Sequence, residues 1–110
     1  MFPEHFLTVR ATVTPERDAD FNRWYDAEHT PDAVKAFKGC IGGARYKVVE
    51  GDGSHAYMAM YAFKTAQAMN AAMAGPDIKA LIAEYDAKVG AFSTRQRTTY
   101  SKIFEHIPKG

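Results

Sequence analysis

Residues 5–37 read HFLTVRATVTPERDADFNRWYDAEHTPDAVKAF, and the change of period inside this stretch decides the fold class. Over residues 5–13 the side chains alternate: Leu7, Val9, Ala11 and Val13 fall on one face, Phe6, Thr8, Arg10 and Thr12 on the other. A period of two marks a strand with one apolar and one mixed face. Thr14-Pro15 then offers an N-cap with proline at the first helical position, and Glu16 and Asp18 suit the positive end of a helix dipole. Phe21, Trp24 and Tyr25 recur at helical spacing. Thr30-Pro31 is expected to interrupt that helix and recap a short second one running to Phe37.

Working outward, residues 40–50 (CIGGARYKVVE) and 56–63 (AYMAMYAF) read as two strands joined by Gly51-Asp52-Gly53-Ser54-His55, a connection suited to an antiparallel hairpin. Gly42-Gly43 marks a bulge or a close backbone approach. Thr65 opens a second helical region with Met69 and Met73 four apart, broken near Gly75-Pro76. It resumes with the stripe Ile78, Leu81, Ile82, Tyr85 and Val89. Residues 93–105 (STRQRTTYSKIFE) form a last, mostly polar strand. The order βαββαβ is that of a ferredoxin-like α+β fold, an antiparallel sheet with both helices on one face, in one domain over residues 1–110. The opposite sheet face is expected to gather Phe6, Tyr57, Tyr61, Phe63, Tyr100 and Phe104 among Thr8, Arg10, Arg45 and Gln96. A face that aromatic is seldom left bare, and a second copy of the chain in a homodimer is the economical cover.

Composition narrows the classes of function. The chain has 110 residues, 46% of them hydrophobic and 25% charged, the balance of an ordinary globular protein. Fourteen basic residues against 13 acidic ones give no electrostatic case for nucleic acid. The single cysteine, Cys40, excludes an intramolecular disulfide framework and a multi-cysteine zinc site. No apolar run is long enough to span a membrane, and the amino terminus lacks a signal-peptide pattern, so a cytoplasmic protein is expected. There is no phosphate-binding glycine motif. His5, His55 and His106 sit near strand ends, where exposure is expected. Asp26, His29 and Asp32 make a poor metal set, since the first two share a helix face only loosely and Pro31 intervenes. No metal is expected.

Chemistry is expected in the segment from Phe21 to Asp32. The stripe of Phe21, Trp24 and Tyr25, carried on at helical spacing, reaches Glu28, His29 and Asp32. Ionisable groups on a core-facing stripe imply a polar-lined cleft. A histidine there, with a carboxylate to fix its tautomer, suits proton transfer near neutral pH. Tyr25 and His29, four apart, share a helix face, so His29 is expected to be partly buried beside Tyr25 with a carboxylate or a freed carbonyl in reach.

The pattern Trp24-Tyr25, then His29, then Pro31, on the first helix of a βαββαβ chain of this length, resembles the EthD-type members of the dimeric α/β-barrel superfamily. The resemblance implies two sheets packed face to face in a dimer, with a ligand pocket bordered by the first helix. Relatives in that superfamily include cofactor-independent monooxygenases, muconolactone isomerases and haem-containing aldoxime dehydratases. It implies a small enzyme of aromatic, lactone or polyketide-like metabolism acting on a small cyclic substrate by proton transfer, as an isomerase, lyase or monooxygenase with no cofactor. His29 would be the acid or base, Asp26, Glu28 or Asp32 its orienting partner, and Tyr25 a donor to a substrate oxygen. Trp24 and Tyr61 would contact the substrate, and Arg10 or Arg45 would hold a substrate carboxylate. The alternative is a protein that binds such a ligand without transforming it. One fold hosts many chemistries.

Overall fold

The computed structural model describes residues 1–51 and 56–109. Strand β1 runs His5–Val13 and is followed by a single 3-10 turn, Pro15–Arg17. Helix α1 (Asp18–Trp24) passes through a π turn (Tyr25–His29) into α2 (Thr30–Ala36). Strands β2 (Cys40–Lys47) and β3 (Tyr57–Phe63) come next, then α3 (Ala66–Ala74), α4 (Pro76–Lys88) and β4 (Ser93–Ser101). The sheet is four-stranded and antiparallel in the order β2-β3-β1-β4. This is the ferredoxin-like arrangement read from the sequence, with the helices on one face. From Asp52 to His55 the expected hairpin connection lies outside the described residues, and His55 with it. Among the described residues no helix is long and apolar enough to cross a membrane.

The apolar face of β1 behaves as its alternation demands. Leu7 and Ala11 are buried against Phe21, Tyr25, Ile78, Leu81 and Tyr85 of the helical layer, in one continuous core. Thr65 caps α3 by accepting a hydrogen bond from the Ala68 N–H at 3.0 Å. Gly75 is extended (φ −88°, ψ 176°) and Pro76 starts α4, so the second helical region breaks where the Gly-Pro pair says it must. Thr14, by contrast, makes no side-chain cap; its carbonyl accepts from the Arg17 N–H.

Both expectations for Gly42-Gly43 hold. The β2–β3 register shifts between Cys40 and Gly42, a bulge, and a Cβ on Gly43 would meet the Val34 Cγ2 at 3.0 Å and the Tyr61 ring at 3.1 Å. The missing side chain lets α2 lie close on β2.

Two expectations fail. Pairing of Ala11 with Tyr57, Leu7 with Tyr61 and His5 with Phe63 puts those three aromatics on the helix-covered side, and Ala59 opposite Arg45 puts Arg45 there too. The open face keeps Phe6, Thr8, Arg10, Gln96 and Tyr100, joined by Met58 and Met60. Strand β3 is apolar on both faces, so its alternation does not say which side is in, and a shift of one residue exchanges them. The last strand also ends at Ser101 rather than at residue 105. One more bond, from Lys102 N–H to the Glu4 carbonyl at 2.6 Å, closes the pairing. Beyond it Ile103 and Phe104 are exposed, while Lys102 and Glu105 pair at 2.9 Å.

Candidate active site

The site grows from the π turn. In an α-helix, residues five apart sit roughly 140° apart around the axis and cannot touch. A π turn inserts one extra residue and brings them onto one side. The Thr30 N–H donates to the Tyr25 carbonyl, five residues back, and the rings of Trp24 and His29 stack with centroids 4.5 Å apart and planes at 22°. Tyr25 meets the same imidazole edge-on at 4.9 Å. The helix does not stop at Thr30-Pro31 as expected: His29 and Thr30 keep helical dihedrals, and Pro31 sits in the first turn of α2. The inserted residue also changes the phase of the stripe. The buried positions run Phe21, Trp24, Tyr25, His29, Ala33 and Phe37, so Glu28 and Asp32 are exposed.

Tyr25 and His29 face a cavity of about 260 Å³ between helices and sheet. Ala33 and Phe37 extend that wall; Leu7, Val9 and Tyr61 form the floor; Ile78, Leu81, Ile82 and Tyr85 close it from α4. Arg95 and Arg97 of β4 complete the lining, on the same sheet face because they pair with Ala11 and Val9. The volume is roughly that of nine liquid waters, room for a small ring with its substituents.

The polar groups on these walls are differently satisfied: the Tyr85 hydroxyl and Arg95 have partners, and one nitrogen of His29 has none. Nδ1 of His29 is buried without a hydrogen bond, whereas the Tyr61 hydroxyl lies among the side-chain oxygens of Thr30 and Tyr25. Buried polar groups are ordinarily satisfied, so the unpartnered imidazole nitrogen sets His29 apart from the rest of the core. His29 is 7% exposed. Burial pushes its pKa down to about 4; Asp32 pulls the other way from outside hydrogen-bond reach, and Arg95 adds to the fall. The ring is therefore neutral at physiological pH, one nitrogen a donor and the other an acceptor. Burial also raises Tyr25 far above the ordinary phenol value and pushes Tyr61 up to about 12. Both stay protonated donors.

Of the residues read from the sequence, Tyr25, His29 and Tyr61 meet at the cavity. Trp24 stands behind His29 rather than on the cavity wall. Asp26, Glu28 and Asp32 do not approach the ring, which leaves the expected carboxylate partner absent among the described residues; Asp26 instead accepts from Arg45 at 2.8 Å. Arg45 lies over the outer side of the Tyr25 ring, 4.6 Å from its centroid, and also bonds Asn22. Arg10 is on the opposite sheet face, donating to Gln96 at 2.8 Å. Neither arginine lines the cavity.

Tyr85, Arg95 and Arg97 were not singled out as site residues. Tyr85 belonged to the α4 stripe, and its hydroxyl lies 2.6 Å from the Ser93 hydroxyl. The signal for the arginines was their spacing of two in β4, legible only once that strand is paired with β1. The Arg95 guanidinium lies over Tyr85, 4.2 Å from its centroid, and bonds Asp86 at 2.8 Å. Among the described residues no cluster of three or more His, Cys, Asp or Glu side chains could hold a metal ion.

No protein-family model matches the chain, and no curated protein matches it in sequence. Solved structures do match in fold. An EthD family protein from Bacillus halodurans is similar at 16% identity, covering 88% of this chain and 97% of its own, with a TM-score of 0.62. SnoaB, a cofactor-independent oxygenase from Streptomyces nogalater, is similar at 18% identity over 98% of this chain and 100% of its own, with a TM-score of 0.67. The haem degrader MhuD from Mycobacterium tuberculosis, solved with two haems in its active site, is similar at 16% identity over 93% and 98%, TM-score 0.66. The ferredoxin-like fold of this chain is thus shared with an EthD family protein, a cofactor-independent oxygenase and a haem degrader.

Proposed function

We propose that residues 1–110 form one EthD-like domain that binds a small cyclic or aromatic substrate and catalyses proton transfer through His29. The observation that carries this is the imidazole itself: buried, neutral, stacked on Trp24, its Nδ1 without a partner on the wall of an aromatic cavity. A neutral ring accepts a proton from an acidic O–H or C–H of the substrate. Burial disfavours the imidazolium in the empty site, but the substrate anion formed beside it supplies the missing counter-charge. The hydroxyls of Tyr25 and Tyr61 remain protonated and donate to the developing oxyanion. Returning the proton to a different atom is an isomerisation, and expelling a group from the anion is an elimination. Reaction of an electron-rich anion with dioxygen is an oxygenation. No cofactor is required for any of the three.

The test is deuterium exchange. Protein incubated in D2O with enolisable cyclic ketones, lactones and hydroxyaromatic compounds is expected to place deuterium at the acidic carbon of one of them. His29→Gln is expected to slow that exchange about a hundredfold, within the usual range for a general acid–base residue. Exchange unchanged in His29→Gln overturns the assignment. A second reading, binding without transformation, is favoured by one fact: among the described residues no carboxylate reaches His29 to raise its basicity. Ligand retained tightly and recovered without exchange would support it.

The same proposal includes a cytoplasmic homodimer formed through the open sheet face. Phe6 and Tyr100 stack there at 5.1 Å, Tyr100 is exposed, and Ile103 and Phe104 stand free beyond it. Light scattering giving a 12.2 kDa monomer at micromolar concentration overturns the dimer.

A further inference from the structure

We infer that the substrate carries a carboxylate, bound by Arg97 and Arg95 at the mouth of the cavity while its ring lies among Tyr25, Tyr61 and Tyr85 against His29. This inference rests on the proposed function and names the class of its substrate. A guanidinium on an exposed strand is ordinary by itself. Here two of them project from one face of β4 into the lining of the cavity, and no Asp or Glu lines it with them.

The two arginines are differently prepared. Arg95 is held over the Tyr85 ring and by Asp86, with its side chain only 25% exposed, so its position is set in advance. Asp86 and the Tyr85 hydroxyl engage some of its five N–H donors and leave the others for a ligand. Arg97 has no ion-pair or hydrogen-bond partner among the described residues and is exposed, free to close on an arriving anion. Guanidinium forks match carboxylates in a planar, two-point geometry. In the same lining the His29 Nδ1 stands unpaired, and the remaining walls are largely aliphatic and aromatic. The lining therefore sets two guanidinium groups and an imidazole among aliphatic and aromatic walls. It fits a ring compound with an acid at one end and a hydroxyl or enolisable carbon at the other. The acid-binding role expected of Arg10 or Arg45 falls to this pair.

Salicylate and a hydroxynaphthoate, each against its neutral primary amide, test the inference by titration calorimetry without need of turnover. At least one acid is expected to bind about tenfold tighter than its amide, as a charge-assisted bidentate contact implies. Added salt should reduce that preference. Arg97→Gln, at an exposed position that leaves packing intact, is expected to remove most of it and to leave amide binding within about twofold. Arg95→Gln should do the same, with melting curves checking that the Tyr85 wall is preserved. His29→Gln should keep the acid-over-amide preference even as deuterium exchange is lost, so failure of the proton-transfer reading and failure of this one are separable. Equal affinity for acid and amide, an unaltered preference in Arg97→Gln, or no acid binding at all overturns the inference.

Discussion

Two prolines stand midway along the two helical arms of this molecule, and the chain treats them differently. At Gly75-Pro76 the ladder ends, Gly75 extends, and Pro76 opens a new helix. At Thr30-Pro31 the helix continues, with Thr30 helical (φ −63°, ψ −49°) although residues before proline ordinarily avoid that region. What separates them is the π turn. It has already shifted the hydrogen bonds by one residue where Pro31 lacks an N–H, so the second arm is broken cleanly and the first is loosened without breaking. The loosened place is where His29 sits. Departures from regular helix are frequent at functional sites, which accords with the role proposed for His29.

The contrast can be broken most severely at the start of the first arm. Phe21 is fully buried among Tyr25, Tyr57 and Tyr85. Phe21→Ala should cost about 4 kcal/mol in urea denaturation, against about 3 kcal/mol for Leu81→Ala in the second arm. A second arm that suffers more would mean that the core is not centred on the rings. Next is the joint between the arms. Gly39 has φ +79°, and a Cβ there would come within 2.7 Å of the Ala68 Cβ of α3. Gly39→Ala combines a left-handed backbone with that clash, and a loss of about 2 kcal/mol in the same measurement is expected.

How much of this was legible follows from the same contrast. The second arm's capping threonine, its stripe and its Gly-Pro break all sit in local sequence, and the structure follows them. The first arm was legible up to Tyr25. Beyond it, the expected stripe of Glu28, His29 and Asp32 keeps only His29: one inserted residue turns Glu28 and Asp32 outward and Ala33 inward, and nothing in an apolar pattern interrupted by Glu, His and Thr announces an insertion. The placement of His29 beside Tyr25 was correct; the carboxylate partner was lost with the phase. Arg95 and Arg97 were hidden for another reason. A polar strand has no apolar side to orient it, so its inward residues become known only through its pairing with β1.

His29 sharpens the comparison through pH. Its folded-state pKa lies below its ordinary value of 6.5, so between pH 6.5 and about 4 the unfolded chain binds a proton that the folded one does not. Stability should therefore fall on acidification across that window, by on the order of 3 kcal/mol, and level off below it. His29→Phe keeps a stacked ring and should flatten this part of the curve; an unchanged curve would locate the acid sensitivity elsewhere. The smallest effect compares how the arms begin. Thr65→Ala removes a side-chain cap and should cost about 1 kcal/mol, whereas Thr14→Ala, where no side-chain cap exists, should cost only a few tenths of a kcal/mol by thermal melts.

The stack of Trp24 on His29 gives the protein an optical property. Trp24 is its single tryptophan, so the whole indole emission comes from one ring lying against the imidazole. An imidazolium accepts an electron from an excited indole far better than a neutral imidazole does. Emission should be quenched as His29 gains its proton and restored as the proton leaves. A ligand that protonates His29 would then dim the protein as it binds, one that merely fills the cavity would not, and His29→Phe would be blind to the difference. The molecule carries its own indicator dye, placed by one extra residue in a helix.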